Sequence, residues 1–317
     1  MHVAILDDYQ GVARQFGDWD SVGEFAEVSV FSDHLADEAD LAARLHDTEI
    51  VVAMRERTPF TRSLFERLPQ LRLIVTTGMR NAAIDLEAAR DAGVTVCGTG
   101  GLGYPTAELT WGLILALIRR IPSDHSAVRA GLWQTNVGEG LQGKTLGVLG
   151  LGRLGGQVAT VGNAFGMSVV AWSRNLTRER TNELGVTLVD SKAELLERSD
   201  IVTIHLVLSD RTSGLIGAGE LERMPRTSYL VNTSRGPIVD ETALLEALRT
   251  SSIAGAALDV FDQEPLPTGH ELLHMDNVVL TPHVGYVTKE TYAVFFPEAV
   301  EDVLAFLDGN PVRVLTP

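Results

Sequence analysis

A single cysteine, Cys97, occurs in the 317 residues, so no disulfide can close within the chain and no cysteine-based metal motif is present. A lone thiol of this kind is expected to be buried and inert, and no metal is called for. Basic residues are scarce as well: 26 Lys and Arg stand against 42 Asp and Glu, a formal charge of -16. Nucleic-acid and anionic-membrane binders accumulate cations, so this balance speaks against both, while an anionic small molecule needs only a local positive site. Long apolar runs are missing too. The longest, Leu109 to Ile118, is interrupted by Gly112 and stops at Arg119-Arg120, short of the roughly 20 residues that span a bilayer. Met1 to Leu6 enters a strand-like run without a basic n-region or a long apolar h-region, so no secretory signal is read and a cytoplasmic location is expected.

What is present is an ordinary globular balance, 45% apolar and 21% charged, over a length that favours roughly two domains. Strand-like runs alternate with amphipathic segments from the start: His2 to Leu6, Glu27 to Phe31, Glu49 to Ala53, Arg72 to Thr76 and Val94 to Cys97. This is the rhythm of a parallel α/β domain. A second series follows at Thr145 to Leu149, Ser168 to Trp172, Thr187 to Val189, Ile201 to His205, Tyr229 to Asn232, Ala254 to Leu258 and Val278 to Leu280. Between the two lies the glycine-rich stretch Gly98 to Pro105, which reads as a hinge, and then a long helix from about Thr106 to Arg120. The segment beyond Pro282 has room for one or two helices, including Glu298 to Leu307, which could return to the first domain; no separate regulatory domain is expected after them. Ser191 with Glu194 has capping-box spacing, and Asp240 can cap a helix over Glu241 to Arg249.

The most specific motif is Gly150-Leu151-Gly152-Arg153-Leu154-Gly155. An apolar strand runs into it, and helix-compatible residues continue from it to Gly166, as a dinucleotide site requires. Gly150 permits the tight turn, Gly152 lets the backbone approach a pyrophosphate, Gly155 allows helix to pack on strand, and the helix N-terminus offers unpaired N–H groups. Alone, such glycines also serve turn geometry without a ligand. An Asp or Glu about 20 residues on normally receives the ribose hydroxyls. Here Ser173-Arg174 stands at that place. A hydroxyl and a guanidinium could hold the 2′-phosphate of NADP, which favours NADP over NAD; the plainer reading is a solvated loop arginine.

Polar residues follow three later strands at Asn232-Thr233-Ser234-Arg235-Gly236, Asp259 to Glu264-Pro265 and Thr281-Pro282-His283. Ligands bind beyond the carboxyl ends of such strands, so Arg235, Glu264 and His283 could converge, although each singly could be a surface or turn residue. Together with the fingerprint, Asp85-Leu86-Glu87-Ala88-Ala89, Ala107-Glu108 and Gly131-Leu132-Trp133, these segments resemble the D-isomer-specific 2-hydroxyacid dehydrogenases, which include phosphoglycerate dehydrogenases and glyoxylate/hydroxypyruvate reductases. The resemblance spans essentially the whole chain. It implies two doubly wound parallel-sheet α/β domains, a Rossmann cofactor domain over 99–284 inserted into a flavodoxin-like substrate domain of 1–98 plus 285–317.

Carried over residue by residue, the resemblance makes His283 the acid/base, Glu264 its partner and Arg235 the substrate anchor for interconverting a 2-oxo acid and a D-2-hydroxy acid with NADP or NAD. It implies cofactor contacts at Gly150, Gly152, Arg153, Leu154, Gly155, Ser173, Arg174, His205, Thr233 and Asp259, the last at the nicotinamide amide. Substrate contacts fall at Arg55, Gly78, Met79 and Arg80, and a homodimer is implied. The long helix, with Trp111, Leu113, Ile114 and Leu117, would suit the dimer face or a buried core.

The chain departs from the family pattern at three places. Arg80 replaces the second glycine of the substrate loop and could serve a second anionic group; Val207 stands where Pro is common; and Gly98-Thr99-Gly100-Gly101 suggests a looser hinge. Two other readings remain open: a formate-dehydrogenase-like enzyme, against which Glu264 and the modest length count, and a non-catalytic dinucleotide-sensing protein of the corepressor type.

Overall fold

Runs of consecutive apolar residues become strands buried on both faces, as parallel sheets covered by helices demand. In the computed structural model, which describes residues 1–317, the chain divides into two units: Met1–Leu102 with Val287–Pro317, and Gly103–Tyr286.

The first unit carries a five-stranded sheet of β1 (His2–Ile5), β2 (Glu27–Val30), β3 (Ile50–Ala53), β4 (Leu73–Thr76) and β5 (Thr95–Gly98). All pairings are parallel and the order is β2-β1-β3-β4-β5, the flavodoxin-like order. β3 and β4 are buried at every residue, whereas β2, an edge strand, is only partly covered. One helix, Lys289–Leu307, longer than the segment read from sequence, packs on β4, and Phe295, Phe296 and Val303 are among its buried residues. The glycine-rich stretch is more firmly held than its composition suggests. Gly98 N–H donates to the Arg313 carbonyl (3.1 Å), Thr99 N–H to the Thr76 carbonyl (3.0 Å), and Gly100 N–H to Glu298 Oε2 (2.5 Å). The expectation of looseness therefore fails as far as Gly100. Cys97 is fully buried, and that burial pushes its thiol up to about 12, so it is inert at neutral pH.

The second unit holds β6 (Thr145–Leu149), β7 (Ser168–Trp172), β8 (Thr187–Leu188), β9 (Ile201–Ile204), β10 (Tyr229–Asn232), β11 (Gly255–Leu258) and β12 (Val278–Leu280). They form one parallel sheet in the order β12-β11-β10-β9-β6-β7-β8, so the chain reverses its direction of winding between β6 and β9. That reversal is the topological switch point of a Rossmann sheet, beside the end of β6. Asp240 caps the helix Glu241–Arg249 through the Ala243 N–H. Ser191 accepts from Glu194 N–H (3.0 Å), while Glu194 reaches back to Asp190 N–H instead of the cap residue itself.

The long helix is Pro105–Ile118, and Trp111, Leu113, Ile114 and Leu117 all lie in the core of this unit. Of the two roles open to that face, core is the one found. Exposed apolar side chains occur just after it instead. The helix Ile121–Arg129 buries no residue, and Trp133 is 77% and Val137 92% exposed. No helix is long and apolar enough to cross a membrane.

Candidate active site

The fingerprint begins where β6 ends. Gly150 adopts φ 96°, a left-handed value that favours glycine, and a Cβ there would overlap the His205 carbonyl. A Cβ at Gly155 would overlap the Gly150 carbonyl, so helix and turn approach closely only without it. At Gly152 the reverse holds: nothing lies within 4 Å of a Cβ position. This open glycine is the N-cap of the helix Arg153–Ala164, whose first turn has no side-chain cap. Uncapped N–H groups with a dipole behind them and open space in front suit a dinucleotide pyrophosphate. Arg153 and Leu154 belong to that first turn. After β7, Ser173 is half-buried and Arg174 exposed.

His205 follows β9. Thr203 Oγ1 lies 2.9 Å from its Nε2, and its Nδ1 is buried with no partner. Burial drives its pKa down to about 4, so the ring is neutral at physiological pH. Thr233, beyond β10, is buried and shares a hydrogen bond with Thr110 Oγ1 (2.9 Å).

The polar ends of β10, β11 and β12 lie side by side because those strands are neighbours in the sheet. Asn232 shapes the first loop: its Oδ1 accepts from Ser234 N–H (3.0 Å) and its Nδ2 donates to the Arg235 carbonyl (2.9 Å). Arg235 Nη1 donates to the Ser234 carbonyl (2.7 Å). Gly236 then lies so close to the Phe261 carbonyl that any Cβ would overlap it, which packs the Arg235 loop on the loop that carries Glu264.

Glu264 Oε1 accepts from Phe261 N–H (2.9 Å), and its Oε2 lies 2.5 Å from His283 Nδ1. His283 has φ 52°, left-handed for a residue with a Cβ, and its ring packs edge-on against Tyr286. Such a conformation persists only when neighbours over-determine it. Asp259 does that here. It is buried, and its carboxylate accepts from Thr281 Oγ1 (2.6 Å), Val284 N–H (2.8 Å) and Gly285 N–H (2.9 Å), bracketing His283 on both sides. Burial raises its pKa, opposed by those same bonds. The contacts of Asp259 within the chain thus serve the histidine turn, a role the sequence did not suggest.

In the other unit, Arg55 follows β3 and Gly78 follows β4. Arg55 also has a left-handed φ of 52°; its N–H donates to Thr77 Oγ1 (2.9 Å) and its Nη1 to the Thr77 carbonyl (3.1 Å). A Cβ at Gly78 would overlap the Arg55 guanidinium, so these two residues are brought together. The N–H of Gly78 is committed to Thr99 Oγ1 (2.9 Å) and is not free for a substrate. Met79 and Arg80 are exposed beside it. Asn81, not singled out from sequence, is buried and braces the loop by donating to the Arg55 carbonyl (2.6 Å) and Thr76 Oγ1 (2.8 Å).

Residues 111–285 match the family model for the D-isomer specific 2-hydroxyacid dehydrogenase NAD binding domain. The chain is 44% identical over 257 residues to a glyoxylate reductase from Aeropyrum pernix, covering 78% of this chain and 76% of that one. It is 37% identical over 274 residues to D-3-phosphoglycerate dehydrogenase from Methanocaldococcus jannaschii, covering 86% of this chain but only 52% of that longer protein. Among solved structures, a phosphoglycerate oxidoreductase from Vibrio cholerae O395 superposes with TM-score 0.92 at 39% identity, covering 98% and 99% of the two chains. Two more distant structures, each 26% identical and covering 99% of this chain, hold nicotinamide cofactors. They are D-lactate dehydrogenase from Aquifex aeolicus with NAD and lactic acid (TM-score 0.78, 99% of that chain) and an acyclic imino acid reductase with NADPH and D-Arg (TM-score 0.76, 100% of that chain). The chain belongs to the D-isomer specific 2-hydroxyacid dehydrogenase family, oxidoreductases that act on a CH–OH group with NAD(P).

Proposed function

We propose that this chain reduces a small anionic 2-oxo acid to the D-2-hydroxy acid, with His283 as the acid/base, Glu264 as its orienting partner and Arg235 as the substrate anchor. The single observation that carries this reading is the 2.5 Å contact between Glu264 Oε2 and His283 Nδ1. A carboxylate on Nδ1 fixes the orientation and tautomer of the ring and leaves Nε2 to exchange a proton with substrate. When bound, the nicotinamide supplies a hydride to the carbonyl carbon. The carbonyl oxygen then gains charge, which Arg235 offsets through a forked guanidinium and the His283 proton neutralises. Gly150, Gly152, Arg153, Leu154 and Gly155 would hold the pyrophosphate, and His205, Thr233 and Asp259 would border the nicotinamide half.

The unit of Met1–Leu102 with Val287–Pro317 serves as the substrate domain, with Arg55 and the loop of Gly78, Met79 and Arg80 receiving the acid. Exposed Arg80 is suited to a second anionic group. Ser173 and exposed Arg174 favour NADP over NAD. The partner is a second copy of the chain, and the exposed apolar side chains of Ile121, Val128, Trp133 and Val137 supply a better surface for it than the buried face of the preceding helix.

A panel of 2-oxo acids, among them glyoxylate, hydroxypyruvate and phosphohydroxypyruvate, incubated with NADPH or NADH tests the proposal. We expect turnover of at least one member, faster with NADPH. Binding of dinucleotide without any turnover would point to a sensor instead of an enzyme.

A further inference from the structure

Arg180 is a residue that neither the fingerprint nor the ribose-reading pair includes, yet its guanidinium lies on the fingerprint turn. Thr177 caps the helix Arg178–Glu183, which follows directly on the Ser173-Arg174 loop, and Arg180 is the third residue of that helix. From there Nε donates to the Leu151 carbonyl (3.2 Å), Nη2 reaches the Gly152 carbonyl (3.4 Å) and Nη1 pairs with Glu183 Oε2 (3.0 Å). Space for it comes from Gly156, where a Cβ would lie 2.9 Å from Nη2 and 3.2 Å from Leu184 Cδ1.

Leu151 and Gly152 form the two peptide units that lead into the uncapped helix turn. A peptide plane whose carbonyl is held on one side presents the following N–H on the other. We infer that Arg180 is a positioning residue for the dinucleotide: it holds the Leu151 and Gly152 carbonyls so that the N–H groups after them stay aimed at the pyrophosphate. The inference rests on the fingerprint turn being the pyrophosphate site. Its charge adds to the positive potential at that turn, while Glu183 keeps the guanidinium anchored on the helix side. Arg180 thereby joins the loop that would read the 2′-phosphate to the turn that would hold the pyrophosphate, but it discriminates between neither dinucleotide. NADH and NADPH share the pyrophosphate, so both depend on it equally.

Fluorescence titration of NADPH and NADH against wild type, Arg180→Gln, Arg180→Lys, Gly156→Ala and Gly152→Asp tests this. With the turn no longer held, the equivalent of one ordinary hydrogen bond from the turn to the pyrophosphate is lost, so Arg180→Gln should raise both Kd values about tenfold with their ratio unchanged. Arg180→Lys, which keeps the charge but has a single donor atom in place of the guanidinium fork, recovers part of that loss. Gly156→Ala keeps the arginine but displaces it, and should weaken both dinucleotides in the same proportion while the ligand-free protein melts as wild type does. Unchanged Kd values in Arg180→Gln overturn the inference. So does a loss confined to NADPH, which would make Arg180 a phosphate reader, and so does a loss matched by collapse of the ligand-free melting in all three variants. Gly152→Asp separates the premise: wild-type binding there means that the fingerprint reading has failed, whereas lost binding with a neutral Arg180→Gln means that only the positioning role has.

Discussion

His283 combines a proposed chemical role with an unfavourable backbone, and the two can be separated by comparing His283→Ala with His283→Gly. Both variants remove the imidazole and its contact with Glu264 Oε2, so both should lose about 10²- to 10⁴-fold in turnover, the usual contribution of a general acid/base. They differ at φ 52°. A residue with a Cβ is disfavoured there by roughly 1–2 kcal/mol, whereas glycine gives back part of that advantage through its freer unfolded chain, about 0.4–1 kcal/mol. The glycine variant should therefore be the more stable by about 1 kcal/mol, or about 2–4 °C in Tm for a unit of this size. Differential scanning calorimetry without cofactor reads the difference, and a steady-state assay confirms that both have lost turnover to the same extent. Equal stability, or a more stable alanine variant, would refute the argument that Asp259 and the Thr281–Gly285 turn hold the histidine against its own backbone preference.

Three further outcomes follow from the same geometry. Arg174→Ala should abolish any preference for NADPH over NADH, read as the ratio of their kcat/KM values, while leaving NADH kinetics near wild type; an unchanged ratio removes Arg174 from phosphate recognition. Asp259→Asn turns one acceptor oxygen toward the Thr281 hydroxyl or the Val284 and Gly285 N–H groups into a donor, which should cost about 1–3 kcal/mol in urea unfolding and lower kcat more than it raises the cofactor Kd. His205 titrates near 4 in the fold against an ordinary value of 6.5. As pH falls the unfolded chain takes up the proton first, so the stability contributed by the neutral ring is complete above about 6.5 and is lost on the way down to about 4. Only its Nδ1 is sealed while the residue as a whole is half-buried, so the loss from pH 7.5 to about 5 is at most about 2 kcal/mol. A His205→Asn variant should lack that share of the acid slope; parallel slopes for the two proteins would contradict it.

The strands were the most legible part of the chain. Runs such as Ile50–Ala53, Leu73–Thr76 and Ile201–Ile204 are buried at every residue, and burial on both faces writes itself into sequence as unbroken apolar residues. Short helices such as Ala13–Phe16 and Trp19–Gly23 left no period long enough to read. The anchoring of Gly98 to Gly100 was hidden for a different reason: Glu298 and Arg313, which hold it, are about 200 positions away, and composition alone reports only the absence of side chains. At the site, the types and order of Arg235, Glu264 and His283 were readable, but Asn81, Gly236 and Arg180 were not. Each of these acts by where it lets backbone run, and neither a lone asparagine nor a glycine next to an arginine announces that in one dimension.

Under the proposed function His283 gives the proton in reduction of a 2-oxo acid, and the rate of NADPH oxidation in the first turnover of His283→Ala is the sharpest test of that role. With cofactor and substrate saturating, the variant should bind NADPH with a wild-type Kd and transfer hydride about 10²- to 10⁴-fold more slowly. A rate close to that of wild type on every accepted 2-oxo acid would contradict the claim.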